Sequence, residues 1–166
     1  MRLGRAALAV AVFMVVVPGF GVSQVAPTAR VPRTLTAMAL RDLRFGTLLP
    51  GIPMSVLYDD VHRAGLFEVW GERSASVRIE LTLPPSMTTS SGYELPLFFG
   101  PGDGAFAHDR GRPHGIPFDP RAPLVAILGA SGKLYIRLGG TALPDRMQAT
   151  GEYSGTISLT VYDVGI

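Results

Sequence analysis

The chain of 166 residues contains no cysteine. That excludes a disulfide framework, a thiolate metal site and an acylated lipoprotein cysteine, so any fold it adopts is held by its core. A basic surplus is also missing. With Arg2 and Arg5 set aside as part of an N-terminal signal, 13 basic residues face 13 acidic ones. An even balance supplies no positive field for a nucleic acid or an anionic membrane, and neither partner is expected. The apolar run Ala6 to Val17 is twelve residues long, short of the roughly 20 that cross a bilayer, so no stable span is expected once the signal is removed. Beyond that run there is no sustained helical period, no internal repeat and no recognisable catalytic constellation.

The N-terminus has the three parts of a secretory signal. Arg2 and Arg5 make a positive start, the run Ala6 to Val17 follows, and Pro18-Gly19 breaks it ahead of small residues. Cleavage is expected after Ser23, giving a signal peptide over 1–23, a flexible leader over 24–34 that carries Pro27 and Pro32, and a single domain over 35–166. The location implied is exported: periplasmic, cell-surface or secreted. A mature chain of roughly 140 residues can bury about two-thirds of its unfolded surface, enough for one domain without cross-links.

Within the domain the signal is a period of two. Ser76 to Pro84 alternates Val77, Ile79, Leu81 and Leu83 with Arg78, Glu80 and Thr82, the mark of an antiparallel strand with one wet face. Glu152 to Tyr162 places Ile157, Leu159 and Val161 on one face, and Lys133 to Leu138 places Leu134, Ile136 and Leu138 on one face. Further strands are predicted at Met38 to Phe45, Ile52 to Asp59, Gly65 to Gly71, Tyr93 to Phe99 and Ala122 to Leu128. Ser86 to Gly92 reads as a polar loop, Gly129 to Lys133 (GASGK) as a hairpin turn, and Ala142 to Pro144 as a short link. Gly100 to Arg121, dense in glycine and proline, reads as one long surface loop. About eight short strands separated by turn signals predict an antiparallel, immunoglobulin-like β-sandwich.

Three stretches resemble an exported bacterial family, the domain of unknown function 4402. They are LRFGTLLPG (Leu43 to Gly51), GLFEVWGERSASVRIELTLP (Gly65 to Pro84) and LYIRLGGTALPDRMQATGEYSGTISLTVYD (Leu134 to Asp163), the last being the specific one. The resemblance implies a pilin-like or spore-coat-U-like sandwich. It assigns no activity and therefore no catalytic residues. This chain departs from pilins and spore-coat proteins in lacking their cysteines and in running four residues past Tyr162.

Candidate chemistry is sparse. His108, Asp109, His114 and Asp119 are the metal-capable residues of the long loop, but the histidine spacing fits no motif and Arg110 and Arg112 repel a cation. Neither a metal nor another cofactor is expected. His62, beside Asp60 and Arg63, reads as an exposed turn residue. Ser131 and Ser154 lie in no nucleophile elbow, so no hydrolytic role is assigned to them. Among the aromatics Tyr93, Phe98, Phe99, Phe106 and Trp70, most are expected in the core, with Trp70 out of register with Phe67 and Val69 and so turned outward. The candidate ligand surface is Trp70, Phe106, His108 and His114. The function expected is a non-enzymatic structural or adhesive module, a pilus-like or coat subunit whose partners are other copies or cell-surface proteins. The alternative is a periplasmic or secreted module that binds a small ligand or glycan.

Overall fold

Strands supply all the regular structure of residues 34–165, the residues that the computed structural model describes, and there is no helix among them. The signal peptide expected over 1–23, and the expected leader as far as residue 33, lie outside those residues. Twelve strands follow one another. The first six are β1 (Thr36–Arg41), β2 (Met54–Val56), β3 (Gly65–Trp70), β4 (Ser76–Thr82), β5 (Ser86–Thr88) and β6 (Glu94–Phe98). The second six are β7 (Gly104–Ala107), β8 (Ile116–Phe118), β9 (Leu124–Ile127), β10 (Lys133–Leu138), β11 (Gly140–Ala142) and β12 (Ser158–Asp163).

These strands form three antiparallel sheets, in the orders β1-β3-β10-β7-β8, β2-β11-β6-β5 and β12-β4-β9. The five-stranded and three-stranded sheets face each other across the main core. Phe67 and Val69 of β3 and Leu134 and Ile136 of β10 meet Val77 and Ile79 of β4 and Ala126 of β9. The alternation in those strands dictates the arrangement, since every second residue of each is apolar and turned to the same side. Leu81, Ile157, Leu159 and Val161 pack on the same core, each half-buried, as their alternation predicts. Leu83 is half-buried beyond the end of β4, and Leu138 is fully buried. A second cluster of Phe45, Val56, Ala64, Leu95 and Ala142 lies under the four-stranded sheet.

One continuous stretch of chain serves both sheets. β10 leaves the five-stranded sheet at Leu138, and β11 enters the four-stranded sheet two residues later, at Gly140. The crossing is possible because Gly139 has no side chain. A Cβ there would stand 2.3 Å from the Val56 carbonyl oxygen and 2.8 Å from the Tyr58 nitrogen. Near the start of the C-terminal segment, the Tyr153 hydroxyl donates to the Ala149 carbonyl at 2.6 Å and accepts from Gln148 Nε2 at 2.7 Å. This is the arrangement of a tyrosine corner, a hydroxyl tied back to backbone a few residues upstream, as in immunoglobulin-type sandwiches.

Several expectations from sequence are corrected. Gly100 to Arg121 is not one loop, because it contains β7 and β8, which pair Gly104 with Phe118 and Phe106 with Ile116. Its glycine permits close packing: a Cβ on Gly104 would lie 2.9 Å from the Phe118 ring. Pro117 is tolerated because β8 is an edge strand. Ser86 to Gly92 begins with β5, and the link at Ala142 is the end of β11. The strand predicted at Met38 to Phe45 runs instead over Thr36–Arg41 and ends in a bulge between Ala39 and Arg41. The one predicted at Ile52 to Asp59 shortens to Met54–Val56. The last strand starts at Ser158, with Ser154 making only an isolated bridge to Thr88. Gly129 to Lys133 is a turn, but it joins β9 and β10 of opposite sheets and so is not a hairpin within one sheet.

Candidate functional site

The chemistry-bearing side chains gather on the outer face of the five-stranded sheet. Because Phe67 and Val69 point into the core, Leu66, Glu68 and Trp70 of β3 point out. The register then fixes their neighbours. Arg137 of β10 stands opposite Leu66, Tyr135 opposite Glu68 and Lys133 opposite Trp70. On the far side of β10, β7 offers Ala105 opposite Arg137 and Ala107 opposite Tyr135, small residues beside large ones. On the far side of β3, β1 places Arg41 opposite Leu66 and Met38 opposite Glu68.

This face is covered. Glu68 is 8% exposed, Tyr135 8% and Arg137 5%, values typical of a core rather than a wet sheet face. Glu68 is satisfied: its Oε1 accepts from Lys133 Nζ at 2.6 Å and from the Tyr135 hydroxyl at 3.1 Å. The Lys133 bond holds the carboxyl below its ordinary range, against the opposing effect of burial, and Tyr135 adds to the lowering. In return Lys133 is raised by Glu68. Burial first, and then Glu68, push the Tyr135 phenol upward.

The two arginines are less well served. Arg137 Nη2 donates to the Arg110 carbonyl at 2.8 Å, while its Nε and Nη1 are buried without a partner. Arg41 Nε donates to the Ala64 carbonyl at 2.8 Å and its Nη1 to the Val61 carbonyl, leaving Nη2 buried without a partner. Burial lowers the pKa of Arg137, with Arg41 and Arg110 acting in the same direction and Asp59 against them.

Two segments lie over these groups. The turn after β2 contributes the Val61 and Ala64 carbonyls. It is braced by Asp60, whose Oδ1 accepts from the backbone of His62 and Arg63 at 3.0 Å each and whose Oδ2 pairs with Arg63 Nε at 2.8 Å. Those bonds, led by the Arg63 side chain, bring Asp60 down to about 2. The loop after β7 contributes the Arg110 carbonyl. His114 joins the two segments, its Nδ1 lying 3.7 Å from Asp59 Oδ2.

The four candidate ligand residues are not brought together. Trp70 is half-buried on the outer face, as expected from its register. Phe106 points the other way, half-buried against the main core with its ring 6.3 Å from that of Phe118. His108 is exposed beyond β7, its Nε2 bonded to the Ile127 carbonyl at 2.8 Å. His114 sits in the loop over the outer face. Among the described residues no group of three or more His, Cys, Asp or Glu side chains is placed to hold a metal. Asp109 instead accepts from the Gly111 backbone, and Asp119 is held at about 2 chiefly by Arg121. His62 lies exposed in its turn.

A shallow depression elsewhere, lined by Arg78, Glu80, Tyr162, Asp163 and Val164, lies on the outer face of β4 and β12 and holds the Arg78–Glu80 ion pair at 2.5 Å. Another open feature is the edge at β9, which pairs with β4 on one side only. Its inward residues Leu124 and Ala126 pack on the core, and its outward residues Val125 and Ile127 are 62% and 59% exposed. No family model and no curated protein matches the chain.

Proposed function

We propose that the chain is an exported, non-enzymatic structural or adhesive module that assembles with other copies through an open sheet edge, as a pilus-like or coat subunit does. The observation that carries this reading is β9. Soluble proteins blunt their sheet edges with lysine, proline or a bulge, and Leu124–Ile127 carries none of these. β8, the neighbouring edge, does carry its proline. The pairing of Leu128 with Ala75 sets the alternation of the ladder, so the backbone groups of Val125 and Ile127 face away from β4. A second β9 laid antiparallel, Val125 against Ile127 about Ala126, brings the free ones into pairing register and sets the exposed Val and Ile side by side. The one outward group already occupied is the Ile127 carbonyl, held by His108. The resemblance of Leu134 to Asp163 to the domain of unknown function 4402 supports the same reading, and the signal-like segment 1–23 supports export.

The test is the native mass of the purified mature chain against concentration. Oligomers that dissolve on Ile127→Lys, a charge placed on the edge strand, are the expected result. A parent that stays monomeric at high concentration refutes self-assembly. It would leave ahead the second reading, a small-ligand or glycan-binding module, which the outward, half-buried Trp70 favours.

A further inference from the structure

We propose that Arg41 and Arg137 form a binding site for a small oxyanion, phosphate or a carboxylate, on the outer face of the five-stranded sheet under the turn after β2 and the loop after β7. Three guanidinium nitrogens carry the argument. Arg41 Nη2 and Arg137 Nε and Nη1 are buried and donate to nothing. A guanidinium stays protonated at every physiological pH, so burial cannot be relieved by losing the charge. An unmet buried donor is costly, and more so when charged. Chance burial of one such group is uncommon; here two arginines flank the same residue, Leu66, from the strands on either side of it.

The local charge is predominantly positive. Arg41 and Arg110 both act on Arg137 as like charges, and the carboxylate acting on it is Asp59, which is itself shared with His114. The nearest carboxylate on the sheet face, that of Glu68, is committed to Lys133 and Tyr135. Positive groups therefore outnumber the negative ones that face them, and an oxyanion supplies both the missing charge and the missing acceptors. Arginine is the side chain suited to this, because its fixed planar donors match phosphate and carboxylate oxygens. Ala105, opposite Arg137 on β7, places only a methyl beside it. The cover consists of a turn and a loop, not paired strands, so an anion can enter by displacing the Arg110 segment without breaking a sheet.

The experiment is a thermal melt and a calorimetric titration of the mature chain with sodium phosphate and with sodium acetate, each against sodium chloride at matched ionic strength and pH. Saturable binding with a raised melting temperature is expected from at least one of the two probes, since a ligand specific to the folded state stabilises it. A response to phosphate alone identifies a phosphate-type ligand, a response to acetate alone a carboxylate, and a response to both an oxyanion site without preference. Arg137→Met should weaken binding tenfold or more. If that variant does not fold, Arg110→Ala serves: it keeps the backbone carbonyl that Arg137 uses, removes an exposed cation, and should weaken binding severalfold. The proposal is overturned if phosphate and acetate act no differently from chloride, or if Arg110→Ala and Arg41→Lys both bind as tightly as the parent.

Discussion

Ile79→Ala tests the sandwich register more directly than any other substitution. Ile79 sits mid-strand in β4, the central strand of its sheet, with Val161 of β12 opposite on one side and Leu124 of β9 on the other. It is 1% exposed, and its side chain reaches into the main core. Truncation removes three carbons from that core, about 2.4 kcal/mol of transfer free energy at about 0.8 kcal/mol per methylene. Paired strands on both sides limit collapse around the gap, so the cavity contribution brings the expected loss to about 3–4 kcal/mol. For a domain of this size that corresponds to a fall of roughly 10–15 °C in melting temperature. Leu159→Ala, at a half-buried position on the same core, should lose about 1–2 kcal/mol, in proportion to the smaller area withdrawn from water. Val125→Ala on the wet side of β9 is the control, expected to stay within about 0.5 kcal/mol. Urea unfolding of the three variants and the parent measures the differences, with a constant slope as the check that unfolding remains two-state. If Val125→Ala costs as much as Ile79→Ala, the strands are out of register by one residue and the inner and outer faces assigned to the three-stranded sheet are exchanged.

Two other outcomes follow from the same structure. The folded-state pKa values of Glu68, Asp60 and Asp119 lie below their ordinary values of 4.5, 3.8 and 3.8, so their contribution is full above the ordinary values and is lost as pH falls on through the lowered ones. The urea midpoint should therefore drop between about pH 5 and pH 2, and Glu68→Gln should flatten the upper part of that drop; a midpoint constant across the interval contradicts the assigned ion pairs. Gly139→Ala drives a methyl against the Val56 carbonyl and should destabilise by about 1–3 kcal/mol or more, whereas Gly102→Ala meets nothing within 4 Å and should leave the melting temperature close to that of the parent.

The strands legible in the sequence were those whose alternation is long enough to be self-evident. β4 and β10 fall almost where their apolar residues place them, because a buried face with a period of two leaves one register open. β7 and β8 were hidden for the opposite reason. Gly104 and Pro117 serve close packing and an edge position, and glycine and proline read from sequence as loop residues. The outward turn of Trp70 follows from its register with Phe67 and Val69, whereas the inward turn of Phe106 depends on β7, which the sequence hides. The outer-face cluster was only half visible. Glu68 interrupts one apolar strand, and Lys133, Tyr135 and Arg137 alternate through another, so each strand by itself shows a polar face. What the sequence could not show is that β3 and β10 are neighbours, 65 residues apart at the Glu68–Lys133 bond, or that a turn and a loop would close over them and turn a wet face into a buried one.

The passage of β10 into β11 ties the thermodynamics of the two halves together. Leu134 and Ile136 belong to one hydrophobic cluster and Ala142 to the other, and they lie on one uninterrupted stretch of backbone. Slackening either cluster pulls on the other through a stretch with no slack residues, because Gly139 is hemmed in by Val56 and Tyr58. Loss of one cluster is therefore expected to weaken the other. The two clusters are expected to open together, which matters in a chain with no disulfide to hold it.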